Sequence, residues 1–100
     1  MAVTSITPFL WFDTQAEDAA KYYVPLFSNS RILQVSRYGD FMPGKEGKVM
    51  VVELELMGQR LTFMNGGPNF TLDEAFSLSV ACETQADIDR LWDALAHKPS

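Results

Sequence analysis

Apolar and polar positions follow two rhythms along this chain. Residues 6–12 (ITPFLWF) are β-branched and aromatic and predict a strand. Thr14-x-x-Glu17 follows, the pattern of a capping box that satisfies free N–H groups at a helix start. Ala16, Ala19, Ala20, Tyr23 and Phe27 then recur at helical spacing and mark one apolar face. Pro25 interrupts that pattern, so the helix should fade by Phe27. Ser28-Asn29-Ser30 reads as a turn. Residues 31–38 predict a second strand, and 39–48, with three glycines and a proline, an exposed loop.

The clearest alternation lies in residues 49–56, where Met50, Val52, Leu54 and Leu56 share one face and Val51, Glu53 and Glu55 the other. Gly58-Gln59 resembles a hairpin turn, and residues 60–65 form the returning strand. Asn65-Gly66-Gly67-Pro68 breaks regular structure. Alternation resumes in residues 76–82, with Phe76, Leu78, Val80 and Cys82 set against Ser77, Ser79 and Ala81. Thr84-x-x-Asp87 caps a second helix whose Ile88, Leu91, Trp92 and Leu95 form an amphipathic stripe, and Pro99 ends it.

Two of these segments repeat. Asp13-Thr14-Gln15-Ala16-Glu17 and Glu83-Thr84-Gln85-Ala86-Asp87 are nearly the same pentapeptide, 70 residues apart. Each follows an alternating strand and opens an amphipathic helix, and Tyr22 matches Trp92 in position. Residues 1–100 thus read as one domain of one and a half modules: a first βαβββ module over 1–68, and the strand and helix of a second, truncated one over 69–100. Either the chain is a fragment, with three further strands to follow, or another chain supplies the missing sheet. A homodimer is the expected partner arrangement.

Composition narrows the function classes. The net charge is −5 and the eight Lys and Arg residues are scattered, which argues against nucleic acid as a partner. The single cysteine, Cys82, excludes an internal disulfide and reads as a small strand residue. No apolar run has the length of a membrane helix, and no signal peptide is visible, so no membrane partner and a cytoplasmic location are expected.

Three segments, ITPFLWFDTQAEDAAKYYVPLF, GQRLTFMNGGPNFTLDEAFSLSV and ACETQADIDRLWDAL, resemble the PhnB-type, demethylubiquinone methyltransferase-like branch of the vicinal oxygen chelate (glyoxalase/bleomycin-resistance) superfamily. The resemblance implies an α+β fold of βαβββ modules, a curved mixed sheet around a cavity with helices outside, and a homodimer. It also implies metal ligands on inner strand faces, where this sequence offers Thr7 in the first module and Ser77 and Ser79 in the second. The one histidine, His97, ends a helix. A divalent site needs about three or four converging donors, so no metal is expected. Both strand-to-helix turns lack the glycines of a methyl-donor site, so no cofactor is expected either; Gly66-Gly67 reads as a tight turn or, alternatively, a cofactor turn.

If Leu10 and Phe12 pack under the first helix, Phe9 and Trp11 face the cavity, with Trp11 either a core residue or a stacking wall. Glu53 then faces cavity or solvent, Thr62 and Met64 point inward, and Ser77 and Ser79 lie on the inner face of a fifth strand. Asn65 either binds ligand or caps its own turn. No nucleophile–base pair is visible, and the catalytic residues are left unassigned. The expected function is binding of a small, partly apolar molecule in the sheet cavity without a metal. The alternatives are a superfamily enzyme (methyltransferase, lyase, dioxygenase or isomerase-like), completed by residues outside this chain or by a dimer partner, and a subunit with mainly an associative role.

Overall fold

A computed structural model of the chain describes residues 2–39 and 44–96. Its elements run β1 (Phe9–Phe12), α1 (Ala16–Tyr23), a 3-10 turn (Val24–Leu26), β2 (Arg31–Arg37), β3 (Val49–Leu56), β4 (Gln59–Asn65) and α2 (Gln85–Ala96). The four strands form one sheet in the order β1-β4-β3-β2. β1 is parallel to β4, and the other neighbours are antiparallel. The fold is α+β, with a mixed open sheet. The expected ends of the second helix at His97 and Pro99, and part of the 39–48 loop, lie outside the described residues.

The alternation predicts the sheet's two faces. Val52, Leu54, Leu61 and Phe63 are buried under α1, which meets them with Ala16 and Ala20. Alanine at both helix positions lets the backbone approach the sheet closely. Leu10 joins this core and Phe12 packs against it, its ring 4.9 Å from that of Phe63. Pro25 falls in the 3-10 turn, so the helix fades where its ring removes a backbone donor. β2 absorbs bulges between Ile32 and Gln34 and between Ser36 and Arg37, which keep Ile32 and Val35 on the core side.

Three local expectations change. The hairpin turn is Met57-Gly58, one residue earlier than expected, with φ of 51° and 90°. Positive φ at both central residues matches the twist of the flanking strands. The Met57 N–H donates to Ser30 Oγ at 3.1 Å, which ties this turn to the one before β2. β1 is shorter than expected because its pairing starts late: the Thr62 N–H donates to the Pro8 carbonyl at 2.9 Å, and Ile6 before it is 90% exposed. Thr7 therefore precedes the strand.

The third change concerns the first helix start. The Thr14–Glu17 capping box does not form. Gln15 is the N-cap residue, and its Oε1 accepts the Thr14 N–H at 3.1 Å. Glu17 turns instead toward Lys21 and Arg37, 3.4 and 3.9 Å away. The Ala16 N–H donates to Oδ1 of Asn65, at 2.8 Å and 49 residues away. The same amide's Nδ2 donates to the Val49 carbonyl at 3.2 Å, and the Asn65 carbonyl accepts the Tyr38 hydroxyl at 3.3 Å. Asn65 thus caps a distant helix, not its own turn.

Residues 76–82 form no strand among the described residues, because no partner strand lies beside them. An extended segment with no neighbour leaves its N–H and C=O groups unpaired. α2 does form, and here the local cap is real: the Asp87 N–H donates to Thr84 Oγ1 at 3.2 Å. It is fastened to the first unit by the Tyr22 hydroxyl donating to the Ala94 carbonyl, and by Arg90 Nη1 donating to the Leu26 carbonyl at 3.0 Å. The radius of gyration, 15.2 Å, exceeds the roughly 13 Å of a compact 100-residue domain.

Asn65→Ala should lower stability by about 1–2 kcal/mol, the loss of one helix cap plus an orphaned carbonyl partner. Thr14→Ala should stay within about 0.5 kcal/mol, since Thr14 caps nothing. Urea midpoints of the two variants decide it: equal losses would restore the local capping box.

Candidate functional site

The sheet face away from α1 gathers five of the expected site residues. Register alone does this. Phe9 lies opposite Thr62, Thr62 opposite Glu53, and Glu53 opposite Gln34. In the next row Trp11 lies opposite Met64, Met64 opposite Val51, and Val51 opposite Ser36. Phe9, Trp11, Glu53, Thr62 and Met64 therefore share one surface. No helix covers it among the described residues, and Phe9 is 60% exposed. Thr62 is the one buried polar side chain among the described residues, at 9% exposure. Glu55, beyond Glu53 on the same face, is engaged by Arg31 at 3.6 Å.

Ser77 and Ser79 do not join this surface. They lie on the exposed, unpaired 76–82 stretch, so no strand face exists to aim them. Asp73 shapes the chain just before them, its Oδ1 accepting the Ala75 N–H at 2.9 Å.

Trp11 is held more firmly than its exposure suggests. Its Nε1–H donates to the Gly67 carbonyl at 2.8 Å. Its benzo ring lies directly on Gly66, where any Cβ would overlap Cζ2 and Cη2. Phe70 stands edge-on to the indole, with centroids 5.1 Å apart at 89°. Gly66 is thus required by steric room, while Gly67 takes a φ of +95° to turn the chain. Sequence reasoning placed Trp11 and the glycines separately and missed that they are one unit. The only available signal was an aromatic near the end of one strand and two small residues just after the end of another.

A metal of the kind the superfamily uses would need several donors on this face. Glu53, Thr62 and Gln34 supply one carboxylate, one hydroxyl and one amide in a row. Among the described residues, no three His, Cys, Asp or Glu side chains converge. These residues do not fit a divalent centre. The expected ligand positions Thr7, Ser77 and Ser79 are not brought together either.

Residues 4–100 match the family described as 3-demethylubiquinone-9 3-methyltransferase. The chain belongs to that family. It lies in the PhnB-type branch of the glyoxalase-like superfamily. A putative 3-demethylubiquinone-9 3-methyltransferase, PhnB protein, from Bacillus cereus is 41% identical, with a TM-score of 0.83 over 94% of this chain and 74% of its own. A protein from Staphylococcus aureus is 32% identical, with a TM-score of 0.51 over 95% of this chain and 69% of its own. No curated protein matches. The family assignment agrees with the four-stranded α+β unit. No helix of this PhnB-type chain is long and apolar enough to cross a membrane, among the described residues.

Gly66→Ala should displace the Trp11 ring and cost about 1–3 kcal/mol, the usual range for overpacking. Gly66 has no positive φ, so backbone strain does not contribute. The Trp11 indole N–H resonance, assigned against Trp92→Phe, should shift. An unmoved resonance with wild-type stability would disprove the ring–glycine contact.

Proposed function

We propose that this PhnB-type protein binds a small, partly apolar molecule on the open sheet face, without a metal. The observation that carries the reading is the register: it sets two aromatic rings, Phe9 and Trp11, beside one buried hydroxyl, Thr62, and one carboxylate, Glu53. Ligand sites commonly combine an apolar floor with a few placed polar groups. Phe9 and Trp11 supply stacking area, Met64 an adaptable floor, and Thr62 and Glu53 orientation.

An open face binds weakly until something covers it. A second copy of this chain is the proposed cover. β1 and β2 are both edge strands, and unpaired edges invite association. The 76–96 stretch adds an apolar surface that includes Leu78 at 48%, Ile88 at 46% and Trp92 at 69% exposure. Of these, Ile88 and Trp92 border, with Val80, Cys82, Leu91 and Leu95, a cleft of about 450 Å³. In the first unit the equivalent helix stripe is covered by sheet. The repeat suggests that α2 needs the same, from a partner. A cytoplasmic location accompanies this reading.

A superfamily enzyme is the second reading, favoured by the methyltransferase activity in the family's description. Its site would be completed by residues outside this chain or by a dimer partner. The crowded Gly66 counts against a methyl donor seated there, since Trp11 already fills that space.

Isothermal titration with a short-chain benzoquinone and with 2-naphthol tests the binding reading. Trp11→Ala should weaken binding about tenfold, near 1.4 kcal/mol. Thr62→Val should weaken it about fivefold, the worth of one hydrogen bond. No heat from either probe would overturn the reading. Native mass spectrometry of the same protein should give a dimer free of bound metal. A stable monomer would refute the second copy as cover, and a stoichiometric divalent ion would refute metal-free binding.

A further inference from the structure

We infer that a second pocket, beyond the carboxyl ends of β1 and β4, takes a flat aromatic molecule carrying a cationic amine. β1 and β4 are the one parallel pair of the sheet, and both end here. Open α/β sheets commonly bind ligands in the crevice outside the carboxyl ends of their parallel strands, and this mixed α+β sheet shares that geometry at one strand pair only. In this chain that crevice is a pocket of about 300 Å³. Such a volume is at the lower end of small-molecule sites, which start near 300 Å³.

Its walls come from two stretches far apart in sequence. Trp11 and Phe12 end β1, while Phe70 and Leu72 come from the chain after β4. The aromatic wall is pre-set, because the Gly67 carbonyl and the Gly66 surface both fix the indole. A rigid ring costs little ordering on binding. The polar rim is Asp13, Gln15 and Thr71, and Asp13 is the pocket's one ionisable lining residue.

Those two features select the ligand's charge. An aromatic face attracts a cation, and so does the Asp13 carboxylate. The net charge of −5 favours cations at longer range. The nearby start of α1 would ordinarily favour an anion. Here the Ala16 N–H is taken by Asn65, and Glu17 and Asp18 already place negative charge in the first turn. The ligand class is therefore an arylalkylamine. This site is separate from the sheet-face reading, whose Thr62 and Glu53 do not line the pocket; Trp11 borders both.

Nitrogen-15 correlation spectra give two tryptophan indole peaks, one each for Trp11 and Trp92. Titration with tryptamine should move the Trp11 peak saturably. Indole-3-propionate, with the same ring and the opposite charge, should bind at least about threefold more weakly, and Asp13→Asn should lower tryptamine affinity about threefold, as for an exposed ion pair. Added salt should weaken tryptamine in the same direction. Asp13 is exposed, so its variant is expected to fold, and the two-ligand comparison on the unaltered protein needs no variant. An unmoved Trp11 peak, movement of Trp92 alone, or equal affinities for the two ligands would overturn the proposal.

Discussion

The side chain of Asn65 holds the first unit closed. One amide satisfies the first turn of α1 and the start of β3, from the last residue of β4. The parallel β1–β4 pair depends on the same place, since β1 must cross from the sheet into α1 just beside it. A parallel pairing cannot be made by a hairpin and needs a long crossover connection. The backbone fixes the end of β1 through the Gly66 N–H, which donates to the Phe12 carbonyl at 2.8 Å. The Asn65 amide ties the same point to the starts of α1 and β3. With these in place α1 has one position over Val52, Leu54 and Phe63, and the far face of the sheet is left bare.

This arrangement explains which parts of the fold were legible in the chain. Alternation in β3 correctly separated Val52 and Leu54 from Glu53, because a strand's side-chain period is fixed by its geometry. The Pro25 break and the Thr84 cap were legible for the same reason: each acts within one turn of backbone. The Thr14–Glu17 box failed because a tertiary partner outcompeted a local one. Two identical Thr-Gln-Ala triplets met different surroundings. One sits against the end of β4 and takes its cap from Asn65, while the other stands clear of the sheet and caps itself. Local pattern states what a segment can do alone, and only packing decides whether it has to.

The candidate site divides in the same way. Phe9, Trp11, Glu53, Thr62 and Met64 were placed together by alternation plus pairing, both properties of regular strands. Ser77 and Ser79 were assigned by an alternation that is present in the sequence but has no neighbour to give it a face. Alternation predicts a strand only on condition that a partner edge exists. The lock between Trp11 and Gly66 was not legible at all, since it joins residues 55 positions apart through a single steric contact.

That lock links the two surfaces of the protein. Trp11 belongs by register to the open sheet face, yet its ring is pinned over the end of β4 and borders the crevice beyond it. A side chain fixed in this way cannot adapt separately to a ligand on each side. Occupying one surface then either leaves the indole as it is, so that both ligands bind independently, or moves it off Gly66 and alters the other. The close fit on Gly66 and the hydrogen bond to Gly67 favour the first arrangement, because moving the ring forfeits both at once. Coupling between two sites requires a shared element with two states of similar free energy. Trp11 is shared, but its surroundings offer it one position.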